Sequence, residues 1–127
     1  TAEDEPVSIS DDLLKLLEDS ILLENDQVIV LNKPSRLAVH SGSGLRYGVI
    51  DAFRKMRSDT DIELVHRLDR DTSGCLLLAK SRPALLSMQK LLQTNKIRKT
   101  YVAIVRGHWD KDMIQVELPL LRQTMPN

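Results

Sequence analysis

The chain is poor in aromatic residues and in cysteine, and each shortage argues against a class of protein. Aromatic residues make up 3% of the 127 residues, so a surface of stacked aromatic rings of the kind that binds single-stranded nucleic acid is not expected. Cys75 is the only cysteine, which excludes an internal disulfide and a zinc site built from cysteines. We expect Cys75 to be a small buried strand residue, and its isolation predicts a reducing, cytoplasmic compartment.

Long apolar runs are also missing. No stretch has the length of a membrane span, and residues 1–10 lack the basic and then apolar layout of a signal peptide. No membrane partner is therefore expected. With 42% hydrophobic residues, the chain is long enough for one domain whose core consists of Leu, Ile, Val and Ala, and too short for two.

Charge is unevenly distributed although the formal net charge is 0. Residues 1–26 hold nine acidic groups against Lys15 alone, and the rest of the chain holds 17 basic against nine acidic residues. A basic body behind an acidic leader is compatible with a nucleic-acid partner, although a solvated surface explains these charges equally well. Residues 1–10 are predicted to be an acidic linker and residues 11–127 to be folded.

Local patterns predict strands joined by hairpins, together with a smaller number of helices. Ser10 or Asp11 is placed to cap the first helix, and Ser81 is placed to cap the last. The predicted helices cover 11–18, 49–56 and 83–95, and the predicted strands cover 21–24, 28–33, 63–68, 75–80, 98–107 and 113–118. This order predicts an α+β domain with a mixed, mostly antiparallel sheet and flanking helices.

Residues 66–74, His-Arg-Leu-Asp-Arg-Asp-Thr-Ser-Gly, lie between two predicted strands. Asp, Thr, Ser and Gly are common in turns because they bond nearby backbone or accept positive φ, so composition alone indicates an ordinary turn. The density of charged groups argues for chemistry instead. A carboxylate such as Asp69 beside Arg67 and Arg70 stays ionised near neutral pH, as a nucleophile must.

Asp69 and Asp71 also suggest the Asp-x-Asp motif of metal-dependent phosphohydrolases. That motif needs a further intervening residue before its Thr, whereas Thr72 follows Asp71 directly. It also needs a parallel sheet with helical crossovers, and the hairpins predicted here indicate antiparallel pairing. The phosphohydrolase interpretation is therefore disfavoured.

The whole string His-Arg-Leu-Asp-x-x-Thr-Ser-Gly, followed by an apolar strand, resembles the signature of the RluA family of RNA pseudouridine synthases. Two other segments agree in order, namely Asn-Lys-Pro at 32–34 and Lys-x-Tyr-x-Ala at 99–103. The resemblance covers about residues 20–110. Its details look closest to group C of the enzymes that modify the large ribosomal subunit.

The resemblance implies a pseudouridine synthase catalytic domain that isomerises uridines of large-subunit (23S) ribosomal RNA without a cofactor or a metal. Asp69 matches the nucleophile, and Tyr101 matches the tyrosine that stacks on the base and helps to remove a proton from carbon 5. Arg67 and Arg70 are candidate contacts to RNA, and His66 is a candidate for extruding the target base or for supporting the turn. The alternative is an inactive RNA-binding or ribosome-assembly module on the same fold.

One feature of the family is not matched. Downstream of Lys-x-Tyr-x-Ala, the family has a basic residue that pairs with the aspartate, in a His-Gln-Ile-Arg-like segment, and nothing here corresponds to it. Residues 11–127 are therefore expected to be the N-terminal part of an incomplete catalytic domain, inactive alone. Such a piece would expose a sheet edge that could pair with a second copy.

Overall fold

A four-stranded sheet with helices on both faces is the framework of the protein. The computed structural model describes residues 9–42 and 47–121. Its elements in chain order are α1 (Asp11–Asp19), β1 (Ile21–Glu24), β2 (Val28–Lys33), α2 (Val49–Met56), β3 (Glu63–Leu64), β4 (Gly74–Ala79) and α3 (Arg82–Gln93). None of these helices is long and apolar enough to cross a membrane.

The sheet has the strand order β1-β2-β4-β3, and all three pairings are antiparallel. The longest ladder joins β2 to β4, from Val28 opposite Ala79 to Lys33 opposite Gly74. In the hairpin between β1 and β2, the side-chain oxygen of Asn25 accepts two backbone N–H groups of the turn. The predicted α+β fold with a mostly antiparallel sheet is confirmed.

Alternate residues of β4 supply the two faces of the sheet. Leu76 and Leu78 point into the main core, which α1 and α2 close with Leu17 and Phe53 among others. Leu77 lies on the opposite face, where α3 packs in a second, smaller cluster. The central strand is thus covered on both sides over part of its length.

Serine hydroxyls start two of the helices, as the sequence predicts. Ser10 accepts a hydrogen bond from the N–H of Leu13 at 3.3 Å, and Ser81 accepts one from the N–H of Ala84 at 3.2 Å. Such caps satisfy N–H groups that have no partner within the helix. The predicted bounds of these elements agree with the structure to within two residues.

An ion-pair network joins α1, β1 and α2 at the surface. The guanidinium of Arg57 donates to Glu18 at 2.9 Å and to Glu24 at 2.8 Å, and Lys80 donates to Glu24 at 2.9 Å. The hydrogen bond from Arg57 is the main cause that lowers the pKa of Glu24 to about 2. Glu18 and Glu24 of the acidic leader therefore help to hold α1 against the rest of the domain.

The strands predicted at 98–107 and 113–118 were wrong. Within the described part of the chain, no strand follows α3, and the side chains from 98 to 121 are exposed. A strand needs a neighbour that pairs its backbone groups, and none of the described strands forms a ladder with this segment. Alternation of apolar residues within the segment does not show whether such a neighbour exists.

The expectation that Cys75 is buried was also wrong, because it is exposed on β4.

Glycine is required at two positions, for different reasons. Gly74 starts β4 with a φ of 122°, which favours a residue without a Cβ. At Gly48, which caps α2, an added Cβ would lie 2.5 Å from the Cα of His40. Backbone amides of α2 bond the carbonyls of Ala38 and Val39 in the same loop. The start of α2 is therefore closely packed against the loop after β2.

Replacing Gly48 with alanine should destabilise the protein by about 1–3 kcal/mol, because two backbone segments would have to separate. Gly42→Ala is the matched control, since a Cβ there would meet no described atom within 4 Å, and we expect its effect to stay within about 0.5 kcal/mol. Urea unfolding of both variants measures the difference. Equal effects would show that the contact between Gly48 and His40 is not tight.

Candidate active site

The turn from Asp69 to Thr72 is held through its backbone. The N–H of Thr72 donates to the carbonyl of Asp69 at 3.1 Å. The next two carbonyls have partners from the loop after β2, because Lys33 donates to Arg70 at 3.0 Å and Ser35 donates to Asp71 at 2.8 Å. Three consecutive carbonyls are thus bonded. The side chains of Asp69, Arg70 and Asp71 are left exposed to solvent, and that of Thr72 is half-buried.

Lys33 is fully buried, with 0% of its surface exposed. Its ammonium donates to the carbonyls of Pro34 and Leu37, both at 2.8 Å, as well as to that of Arg70. Burial lowers the pKa of Lys33, and the negative charge of Asp71 opposes part of that shift. A buried cation is tolerated where its donors are satisfied, and here three carbonyls satisfy them.

The role of Lys33 was missed from the sequence, where it served only as part of the Asn-Lys-Pro match. The sequence of β2 nevertheless contains a signal that Lys33 is buried. Ile29, Leu31 and Lys33 alternate along the strand, and the first two are plainly core residues. A lysine in phase with buried residues predicts a buried ammonium, and hence a site that supplies acceptors for it.

Two grooves lie on either side of the turn. The smaller encloses about 280 Å³ and is lined by Ala38, Val39, His40, Gly42, Arg67, Leu68, Asp69 and Arg70. The larger encloses about 890 Å³ and includes His66, Leu68, Asp71, Cys75, Leu77 and Tyr101. Leu68 is the one residue that lines both. Successive residues of the turn therefore serve different grooves.

Asp69, Arg67 and Arg70 lie together in the smaller groove. None of the ion pairs in the described part of the chain involves Asp69, so the arginines share its cleft without bonding its carboxylate. All three side chains are exposed. The cleft consequently presents one carboxylate and two free cationic side chains to an incoming ligand.

Tyr101 lies in the other groove, with 61% of its surface exposed. It is near Asp71 and Thr72 and does not line the groove of Asp69. The structure therefore brings Asp69 together with the arginines, and it leaves Tyr101 on the far side of Leu68.

His66 takes part in the pairing of β4 just beyond the end of β3. Its Nε2 accepts the N–H of Leu77 at 3.0 Å. If the ladder between β3 and β4 continued, a backbone carbonyl would accept this N–H instead. Burial is the main cause that lowers the pKa of His66, and Lys99 lowers it further. An imidazole that accepts at Nε2 is neutral and carries its proton on Nδ1. The ring of His66 thereby ends the predicted strand 63–68 after Leu64.

Stability should depend on the protonation of His66. Its folded-state pKa is lower than the ordinary value of 6.5, so the unfolded chain takes up the proton first as the pH falls. The stabilising contribution is therefore complete above 6.5 and is lost as the pH drops below that value. Urea unfolding between about pH 5 and about pH 8 measures the slope.

His66→Gln should remove most of this slope. His108→Gln, at an exposed position outside the sheet, keeps His66 and should keep the slope. If both variants retained the pH dependence of the parent, His66 would not be the titrating group.

Within residues 9–42 and 47–121, no three His, Cys, Asp or Glu side chains cluster in a way that could hold a metal ion. The smaller groove instead presents one carboxylate, that of Asp69, beside the guanidinium groups of Arg67 and Arg70.

The sequence matches the family model described as RNA pseudouridylate synthase over residues 27–124. It is 50% identical to the ribosomal large subunit pseudouridine synthase C of Yersinia pestis over 98% of this chain and 40% of that protein. The enzyme of the same name from Escherichia coli K12 is 49% identical, with the same coverage. The chain thus spans about 40% of the length of these relatives.

A solved structure, that of human RNA pseudouridylate synthase domain containing 4, is also similar. The TM-score is 0.57 at 27% sequence identity, and the match covers 67% of this chain and 33% of the human one. The fold is therefore shared with a protein whose sequence has diverged much further than those of the bacterial relatives.

Proposed function

This chain belongs to the RNA pseudouridylate synthase family, and we propose that it supplies the nucleophile, Asp69, of an enzyme that isomerises uridines in large-subunit ribosomal RNA. The observation that carries the proposal is the placement of Asp69. Its backbone is held by the turn while its carboxylate stands free in a cleft with two arginines. A nucleophile needs this combination of a fixed position and an unpaired charged group.

In the proposed reaction, uracil is detached from its ribose, rotated and rejoined through carbon 5 in place of nitrogen 1. The carboxylate of Asp69 attacks the ribose carbon, or stabilises positive character there, and later leaves. No atoms are gained or lost overall, so neither a redox cofactor nor a second substrate is required. The resemblance gives Tyr101 the role of stacking on the base and of helping to remove the proton from carbon 5. Because Tyr101 lines the larger groove and Asp69 the smaller, this role requires the base to extend past Leu68 into the larger groove.

The arginines of the smaller groove suit a polyanionic partner. Arg67 and Arg70 are exposed and are not used in ion pairs within the described part of the chain. Free guanidinium groups beside the nucleophile can bind RNA phosphates and so hold the target nucleotide, which must leave its stack to enter the cleft. The single cysteine supports a cytoplasmic location, where ribosomal RNA is found.

The bacterial relatives are named for the large ribosomal subunit, which supports 23S ribosomal RNA as the substrate. Pairing of two copies is supported by the open edge of β1, which bonds only β2 among the described strands.

The alternative function is an RNA-binding or assembly module that has lost catalysis.

Asp69→Asn in the full-length protein should abolish release of tritium from the carbon-5 position of uracil-labelled ribosomal RNA. We expect a loss of at least about 1,000-fold, because the amide cannot act as a nucleophile. The affinity for RNA should be retained, since the arginines are untouched. The rates of tritium release and a filter-binding assay measure the two properties.

Asp71→Asn is the matched control on the same turn. Its carboxylate lines the other groove, and we expect its rate to stay within about tenfold of the parent. Activity retained by Asp69→Asn and lost by Asp71→Asn would reassign the nucleophile. Tight RNA binding by the unchanged protein without tritium release would instead support the inactive module.

A further inference from the structure

One stretch of the chain carries charge of a single sign. Between Asp71 and Asp110 the sequence has seven lysines and arginines and no aspartate or glutamate. Of these seven cations, only Lys80 takes part in an ion pair within the described part of the chain. The other six are exposed, and they are Arg82, Lys90, Lys96, Arg98, Lys99 and Arg106.

Four of these cations gather where α3 ends. Lys90 lies in the last turn of the helix. Asn95, with a φ of 55°, then turns the chain back, and the N–H of Lys96 donates to the carbonyl of Leu91 at 2.9 Å. The residues that follow line the larger groove. We call this group the basic end of α3, and it consists of Lys90, Lys96, Arg98 and Lys99.

The basic end of α3 lies beside the candidate active site. Arg98 and Lys99 line the larger groove together with Asp71 of the turn. Leu68 borders both this groove and the smaller one, which holds the two arginines beside Asp69. Cations are therefore available on both sides of the turn that carries the proposed nucleophile.

The opposite face of the sheet has the opposite charge. There α1 packs on the main core through Leu17, and its sequence contains four carboxylates and one lysine. On the other face, α3 contains two basic residues and no acidic one. A polyanion is therefore attracted to the side of α3 and repelled from the side of α1.

We propose that the basic end of α3 binds the phosphate backbone of the RNA substrate outside the target nucleotide. This inference rests on the proposed function, which makes RNA the partner of the neighbouring grooves. Contacts to phosphates fix the position of a nucleic acid without reading its sequence. Exposed lysines and an arginine suit this role here, because no described carboxylate of the protein pairs with them.

The salt dependence of RNA binding by full-length Lys90→Gln/Lys96→Gln tests the proposal. Its affinity for a 23S ribosomal RNA transcript should fall about 10- to 30-fold at about 0.15 M salt. The slope of log affinity against log salt should shrink by roughly 1.4 to 1.8, because two fewer phosphates are neutralised. An unrelated transcript should lose the same amount of slope, since these contacts do not depend on sequence.

Lys15→Gln/Lys55→Gln is the matched control. It removes the same charge from exposed positions on α1 and α2, at the opposite face of the sheet. Its affinity should stay within about twofold of the parent, with an unchanged slope. Lys90→Arg/Lys96→Arg keeps the charge and should keep the parental slope. Equal losses in the two glutamine pairs would assign the effect to net charge alone and overturn the proposal.

Acetylation of lysines, read by mass spectrometry, gives a measurement on the unsubstituted protein. Bound RNA should slow acetylation of Lys90 and Lys96 and leave that of Lys15 and Lys55 unchanged. Absence of this protection would contradict the proposal. So would lysines of α3 that are unreactive before RNA is added, since another part of the full-length protein would then cover them. If Lys90→Gln/Lys96→Gln does not fold, this measurement decides alone.

Tritium release distinguishes failure of this proposal from failure of the proposed function. An active parent together with unaltered RNA binding by Lys90→Gln/Lys96→Gln would overturn the phosphate contact and leave the proposed function in place. Conversely, a parent that releases no tritium but binds RNA through these lysines would remove the proposed function, and the basic end of α3 would stand as an RNA-binding surface.

Discussion

The buried ammonium of Lys33 is the interaction on which the candidate site depends. It joins the loop after β2 to the turn before β4, and its partners are three carbonyls from both segments. Removing a cation from water is unfavourable unless its donors are satisfied, so the two segments must stay close for the chain to fold. The stability of the core and the geometry of the turn are therefore linked through one side chain.

Much of this fold could be predicted from sequence because its signals are local. The hairpin of β1 and β2, the capped helices α1 and α3, and the helix α2 each follow from a turn, a cap or a period within a few residues. The strands expected at 98–107 and 113–118 failed for the opposite reason. Strand formation depends on a partner elsewhere in the molecule, and alternation within a segment says nothing about that partner.

The candidate site, like the fold, could be predicted from sequence only in part. Asp69, Arg67 and Arg70 could be chosen from a short string, and they do share one groove. The separation of Tyr101 from Asp69 could not be predicted from such a string, because it depends on how the segment after α3 lies across the sheet. The sequence left two roles open for His66, extrusion of the target base and support of the turn. Only the structure shows that its ring takes the acceptor position of a strand carbonyl beside β4.

The backbone contacts also explain a property of the motif His-Arg-Leu-Asp-x-x-Thr-Ser-Gly. Its two open positions are Arg70 and Asp71, which are the residues bonded through their carbonyls by Lys33 and Ser35. A carbonyl is present whatever the side chain, so these positions can hold the turn in place without a fixed identity. Identity is needed at Asp69, where the side chain performs the proposed chemistry, and at Gly74, where φ is 122°. Position and chemistry are thus assigned to different residues of one turn.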